Sequence, residues 1–171
     1  GSGVKSIGVI GTVGGIVGYN IGGTVLECVN VGNIHVDMKT EMSTRNAEAR
    51  AGGIVGFNYK GSVSKCANYG SMKAQASSEL SKDYDTGTLI INYPEAGGIV
   101  GVSLDGLVEN VVNYGTVEAT CPNVENNAAA GGIVGVLNNS GITNGYSMAT
   151  VQSNNMAGSL VGMAKDTSSL S

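Results

Sequence analysis

Residues 14–36 read GGIVGYNIGGTVLECVNVGNIHV, and residues 52–74 read GGIVGFNYKGSVSKCANYGSMKA. The same 23 positions recur without a gap at 97–119 and 131–153, and a weaker start, GSLVG, stands at 158–162. Counted from the first Gly, offset +11 is Val25, Val63, Val108 and Ile142. Offset +14 is Cys28, Cys66, Val111 and Gly145, and offset +16 is Asn30, Asn68, Asn113 and Ser147. Offsets +13 (Glu27, Lys65, Asn110, Asn144) and +21 (His35, Lys73, Glu118, Gln152) are polar columns and are expected outside. A repeat this short cannot bury its own apolar face, and stacked neighbours can.

The repeat starts, near 14, 52, 97, 131 and 158, are unevenly spaced, so the length variation lies between copies. It falls in three expected insertions, about 37–51, 75–96 and 120–130, all leaving the repeat after the same offset. GIVG reads as a short β-branched strand bounded by Gly. Recurrent Asn and Gly read as tight turns, Gly supplying positive φ and Asn bonding to local backbone. Together these predict an all-β parallel solenoid, β-helix-like, of four to five coils with three short strands each. It forms a single domain over 1–171, with loop insertions at one corner, and is read as a piece of a larger protein.

In such a coil stack, spaced about 4.8 Å, Asn30, Asn68 and Asn113 form a side-chain ladder at a turn. Cys28 and Cys66 share an inward column with Val111. Their reading is buried apolar packing, with a disulfide between them and a catalytic thiol as alternatives. The Met-, Glu-, Arg- and Ala-rich stretch 37–49 predicts a short helix. The LIINY run within 75–96 predicts a strand or hairpin arm, and the polar tail 166–171 is expected to fray.

The residues GGIVGYN-x-GGTV followed by CVNVG resemble the bacterial GLUG repeat, written around a Gly-(Leu/Ile)-Val-Gly core. That core stands at Gly15–Gly18, Gly53–Gly56, Gly98–Gly101, Gly132–Gly135 and Gly158–Gly162, and the resemblance spans most of residues 12–164. It implies a large bacterial protein, secreted or surface-attached, such as an adhesin-like chain or the non-catalytic region of an IgA-specific metalloprotease. It implies extracellular location and architecture, with no catalytic residues to carry over. The insertions and the cysteines at offset +14 depart from the motif.

Composition excludes other classes. There are 28 glycines in 171 residues, yet they are not every third residue and Pro occurs twice, so collagen is excluded. A chain that is 42% hydrophobic is not a disordered tail. Nine Lys+Arg against thirteen Asp+Glu argue against nucleic acid as a partner. No apolar run is long enough to insert in a membrane. The stretch Ile7–Gly18 imitates a signal-peptide core, but its second half recurs inside the chain.

Searches for chemistry return weak signals. His35 is the only His and HExxH is absent. Asp85-Thr86-Gly87 is a single copy of a tripeptide that aspartic proteases need twice. Gly8, Gly11, Gly14 and Gly15 precede no helix and no GK[ST], so they are no phosphate loop. Glu27, Asp37, Glu41 and Glu109 are candidates for glycoside hydrolysis only by being acidic. No cofactor or resident metal is expected, with calcium left open because hard cations take oxygen ligands.

The functional expectation is therefore a non-enzymatic module for adhesion, ligand binding or spacing. Its partners are a host or neighbouring-cell glycan or protein, and flanking domains of the same chain. An accessory region of a surface protease and a carbohydrate-active β-helix enzyme are the alternatives. Loops on a rigid scaffold commonly carry binding, so Asp83, Tyr84, Asp85 and Tyr93 of the longest insertion are the candidate ligand-binding residues.

Overall fold

The computed structural model describes residues 9–40, 46–78, 91–122 and 127–171. Its strands stack as four parallel sheets visited in chain order. Sheet A holds Val9–Gly14, Ala47–Gly52, Tyr93–Gly97, Ala129–Gly131 and Met156–Gly158. Sheet B holds Val17–Ile21, Val55–Tyr59, Val100–Leu104, Val134–Asn138 and Val161–Lys165. Sheet C holds Thr24–Leu26 with Val29–Asn30, Ser62–Ser64 with Ala67–Asn68, then Leu107–Asn113, Gly141–Ser147 and Ser169–Leu170. Sheet D holds Ile34–Thr40, Met72–Ser78, Val117–Thr120 and Val151–Ser153. The protein is thus an all-β parallel solenoid of four coils and part of a fifth, each full coil using four faces rather than three.

Register follows the repeat. Val25 stands against Val63, Val63 against Val108 and Val108 against Ile142. Two apolar cores result. Ile54, Val55, Val63, Ile99, Val108 and Ile133 fill the lobe between sheets B and C. Ala47, Ala49, Ala51, Met72, Ala74 and Val117 fill the lobe between sheets A and D, where alanine lets the sheets approach closely.

The GGIVG motif is a corner, not a strand. Sheet A strands end on its first Gly and sheet B strands begin on its Val, as at Gly14 and Val17. The glycines are demanded by close approach. A Cβ on Gly98 would lie 2.1 Å from Asn113 Nδ2 and 2.2 Å from the Gly132 carbonyl oxygen. The second Gly of the motif therefore meets the Asn column of its own coil at a waist between the two lobes. Positive φ belongs elsewhere: among the described residues Gly22 is the one glycine that has it.

The left-handed residues form two other columns. One is Gly22, Lys60, Asp105, Asn139 and Asp166, and the other is Glu27, Lys65, Asn110 and Asn144. The second column has a geometric cause. Val25 and Cys28 both point inward although they are three residues apart, which strict alternation forbids. A bulge residue in the left-handed region at Glu27, and at its equivalents, resets the alternation. The polar column at offset +13 is therefore both outward-facing and conformationally required.

The stretch 37–49 is not helical where it is described. Residues 37–40 continue a sheet D strand and 47–49 begin a sheet A strand. Ala47-Glu48-Ala49-Arg50-Ala51 alternates buried and half-buried residues, a period of two that overrides helix propensity. All three expected insertions contribute strands at their ends: the sheet D strands Ile34–Thr40, Met72–Ser78 and Val117–Thr120 run into them, and the sheet A strands Ala47–Gly52, Tyr93–Gly97 and Ala129–Gly131 follow. The tail is also ordered into the stack: Ser169–Leu170 pairs with Gly141–Ile142, and Ser171 N donates to Ile142 O at 3.0 Å.

Candidate functional site

The waist carries the Asn ladder. Asn30 Nδ2 donates to Asn68 Oδ1, and Asn68 Nδ2 to Asn113 Oδ1, each at 2.8 Å. Each amide also donates to the carbonyl of the Gly two residues on and accepts that Gly's N–H. A second ladder runs Asn20, Asn58, Ser103, Ser140, beginning with Asn20 Nδ2 to Asn58 Oδ1 at 2.8 Å. These columns hold coils together and face inward, so they offer nothing to a ligand.

Cys28, Cys66 and Cys121 are free thiols. Cys66 packs in the core between sheets B and C, and its Sγ donates to Ser64 O at 3.1 Å. Burial pushes its pKa up, which disfavours the reactive thiolate.

Tyr93 is half-buried at the start of a sheet A strand, in register with Glu48. Asp83, Tyr84 and Asp85 lie outside the described residues, so the four candidate ligand-binding residues are not seen together. Of the acidic candidates, Glu27 pairs with Lys65 at 3.3 Å, Asp37 and Glu109 lie on different sheets, and Glu41 lies outside the described residues. Among the described residues no group of three His, Cys, Asp or Glu side chains is placed to hold a metal.

Near Tyr93 the structure brings Glu48, Arg50 and Glu95, from two expected insertions, beside Phe57 of the repeat. Arg50 Nε donates to Glu95 at 3.1 Å and Arg50 Nη2 to Glu48 at 2.6 Å, while its guanidinium lies 5.0 Å from the Phe57 ring centre. These groups close the outer angle between sheets A and B, where Val102, Ala129 and Val136 continue as an apolar seam. Burial raises the Glu95 pKa; Arg50 opposes this, Glu48 adds to it and Lys165 opposes it weakly. The folded protein therefore keeps this proton to higher pH than the unfolded chain. The stability the group contributes is complete at acid pH and is lost as pH rises through the folded-state value. In urea titrations from about pH 4 to 7, Glu95→Gln is expected to remove a component that weakens wild type toward neutrality. An unchanged slope in the variant would show that Glu95 ionises in the fold as freely as in water.

The outer face of sheet C is different in kind. At offset +17, one residue past the ends of the sheet C strands, stand Val31, Tyr69, Tyr114 and Met148, all exposed, and at +15 Val29 and Tyr146 are exposed as well. Leu26 and Leu107 extend the same surface. The Tyr69 and Tyr114 rings stack with centroids 5.0 Å apart and planes 13° from parallel. Eight of the fourteen exposed large apolar side chains among the described residues gather here. Five of the remainder stand on the strands and corner of sheets A and B in the first coil, and one near the chain end. Contiguous exposed apolar surface of this kind is uncommon on a protein surface that meets only water. Sequence reading overlooked it although the signal was present. The residue after each inward Asn, in VNVG, ANYG and VNYG, must point outward and is large and apolar.

Comparison with family models, with curated proteins and with solved structures returns no match to this chain.

Proposed function

We propose that this chain is a non-enzymatic recognition module of a bacterial protein that works outside the cell, secreted or held at its surface. The observation that carries the reading is the exposed sheet C face, with its stacked Tyr69 and Tyr114. A solenoid whose coils are tied by backbone ladders and two Asn/Ser columns holds such a face rigid, so little ordering entropy opposes binding. The repeat resemblance at Gly15–Gly18 and its equivalents supports the extracellular setting and a place among flanking domains. The same rigidity suits a stalk.

The test is an array of glycans and matrix proteins probed with the chain and with Tyr69→Ser/Tyr114→Ser. A third protein, with 79–90 exchanged for a Gly/Ser linker, addresses the longest insertion. Aromatic anchors at a contact centre are worth about 2 kcal/mol or more, so the tyrosine variant is expected to lose at least tenfold in affinity. Binding lost only with the linker variant moves the site to the insertion and refutes the sheet C reading. A blank array for all three proteins removes foreign-ligand recognition.

A further inference from the structure

We infer that the outer face of sheet C is the contact through which two copies of this chain pair, face to face about a two-fold axis. This rests on the reading of that face as the recognition surface and names its partner. The geometry disfavours a sugar. Ring-face stacking needs an open ring, whereas Tyr69 and Tyr114 turn their faces to one another and their column continues into Val31 and Met148. What the face presents is ring edges and aliphatic side chains, which fit another apolar sheet packed about 10 Å away.

Its size fits a dimer. Leu26, Val29, Tyr69, Tyr114, Tyr146 and Met148 are 46% to 65% exposed. With tyrosines offering ~150–250 Å² each, these six present on the order of 600 Å², close to the ~800 Å² per partner of a standard interface. The charge is low: Glu27 and Lys65 pair at 3.3 Å, which leaves Glu109, in the column of Leu26, as the remaining charged side chain on the sheet C strands. A two-fold pair uses the same patch on each copy, so the two Glu109 carboxylates must stay at the rim, in water.

The experiment is sedimentation velocity with light scattering on the whole chain, from low to high micromolar concentration. Wild type is expected to move from one-chain to two-chain mass, with no larger species. Tyr69→Lys/Tyr114→Lys is expected to stay at one-chain mass with an unchanged β circular-dichroism signature. Tyr69→Ser/Tyr114→Ser serves the same purpose should the lysines impair folding, and is expected to weaken pairing at least tenfold.

A wild type of one-chain mass at every concentration overturns the inference. So does pairing that survives both tyrosine variants, or an open series of growing species, which places the contact at the solenoid ends. If the chain stays single while the array still shows a ligand lost with Tyr69→Ser/Tyr114→Ser, self-pairing falls and the recognition face stands. If the chain pairs and the array is blank, the face recognises its own kind alone.

Discussion

Gly98→Ala is expected to destabilise the solenoid by more than about 4 kcal/mol. The added Cβ has nowhere to go. It would meet Asn113 Nδ2 at 2.1 Å and the Gly132 carbonyl oxygen at 2.2 Å. One contact is backbone of the next coil, and the other is an amide already held by Gly115 O at 2.9 Å. Relief requires parting two coils or breaking the Asn ladder, and both tie the lobes at the waist. Gly22→Ala is the control. Gly22 has φ +66° but nothing within 4 Å of a Cβ, so the cost is only the left-handed backbone, about 1–2 kcal/mol. Urea unfolding of both variants, followed by circular dichroism, checks the contrast. Equal midpoints would show that the motif's glycines serve conformation and not close approach.

The second large effect is Asn68→Leu. Asn68 is fully buried. It donates to Gly70 O at 2.7 Å and Asn113 Oδ1 at 2.8 Å, and accepts from Gly70 N at 3.2 Å and Asn30 Nδ2 at 2.8 Å. Leucine nearly matches its volume but leaves four polar groups without this partner. Each buried orphan costs about 1–3 kcal/mol, so a loss of at least about 4 kcal/mol is expected. Asn30→Leu sits at the end of the column, where one side of the ladder is open and Asn30 is 8% exposed. It should cost roughly half as much, since water can reach part of what is orphaned. Denaturant midpoints that rank Asn30→Leu equal to or below Asn68→Leu would show that the ladder does not act as a column.

Both effects follow from one feature of the cross-section. Glycine at offset +1 and asparagine at +16 come from opposite sides of a coil and meet at its centre. Neither is replaceable alone: the amide occupies the space a Cβ needs, and only a short side chain with donor and acceptor satisfies the turn around Gly70. The local requirements of turn, ladder and packing agree, which is the consistency expected of a sequence that specifies one structure.

Repetition made much of this legible in the residues themselves. A side chain recurring at a fixed offset in a parallel stack must stand above its equivalent, because consecutive coils repeat the same path. Register alone thus placed Val25, Val63, Val108 and Ile142 in one interior column and joined Asn30, Asn68 and Asn113. The parallel all-β fold followed from the same fact. What register cannot supply is the path within a coil. Alternation was interrupted by bulges at Glu27, Lys65, Asn110 and Asn144, whose backbone is set by the need to turn both Val25 and Cys28 inward. Ala47–Ala51 became strand because the sheet D strands and the next coil bury its alanines, a tertiary contact that outweighs local helix preference. The stacking of Tyr69 on Tyr114 and the meeting of Arg50 with Glu95 depend on distances across coils, between residues 45 apart in sequence. Offsets along a chain name the columns; the angles between sheets decide which columns face one another, and those angles exist only when every coil is packed.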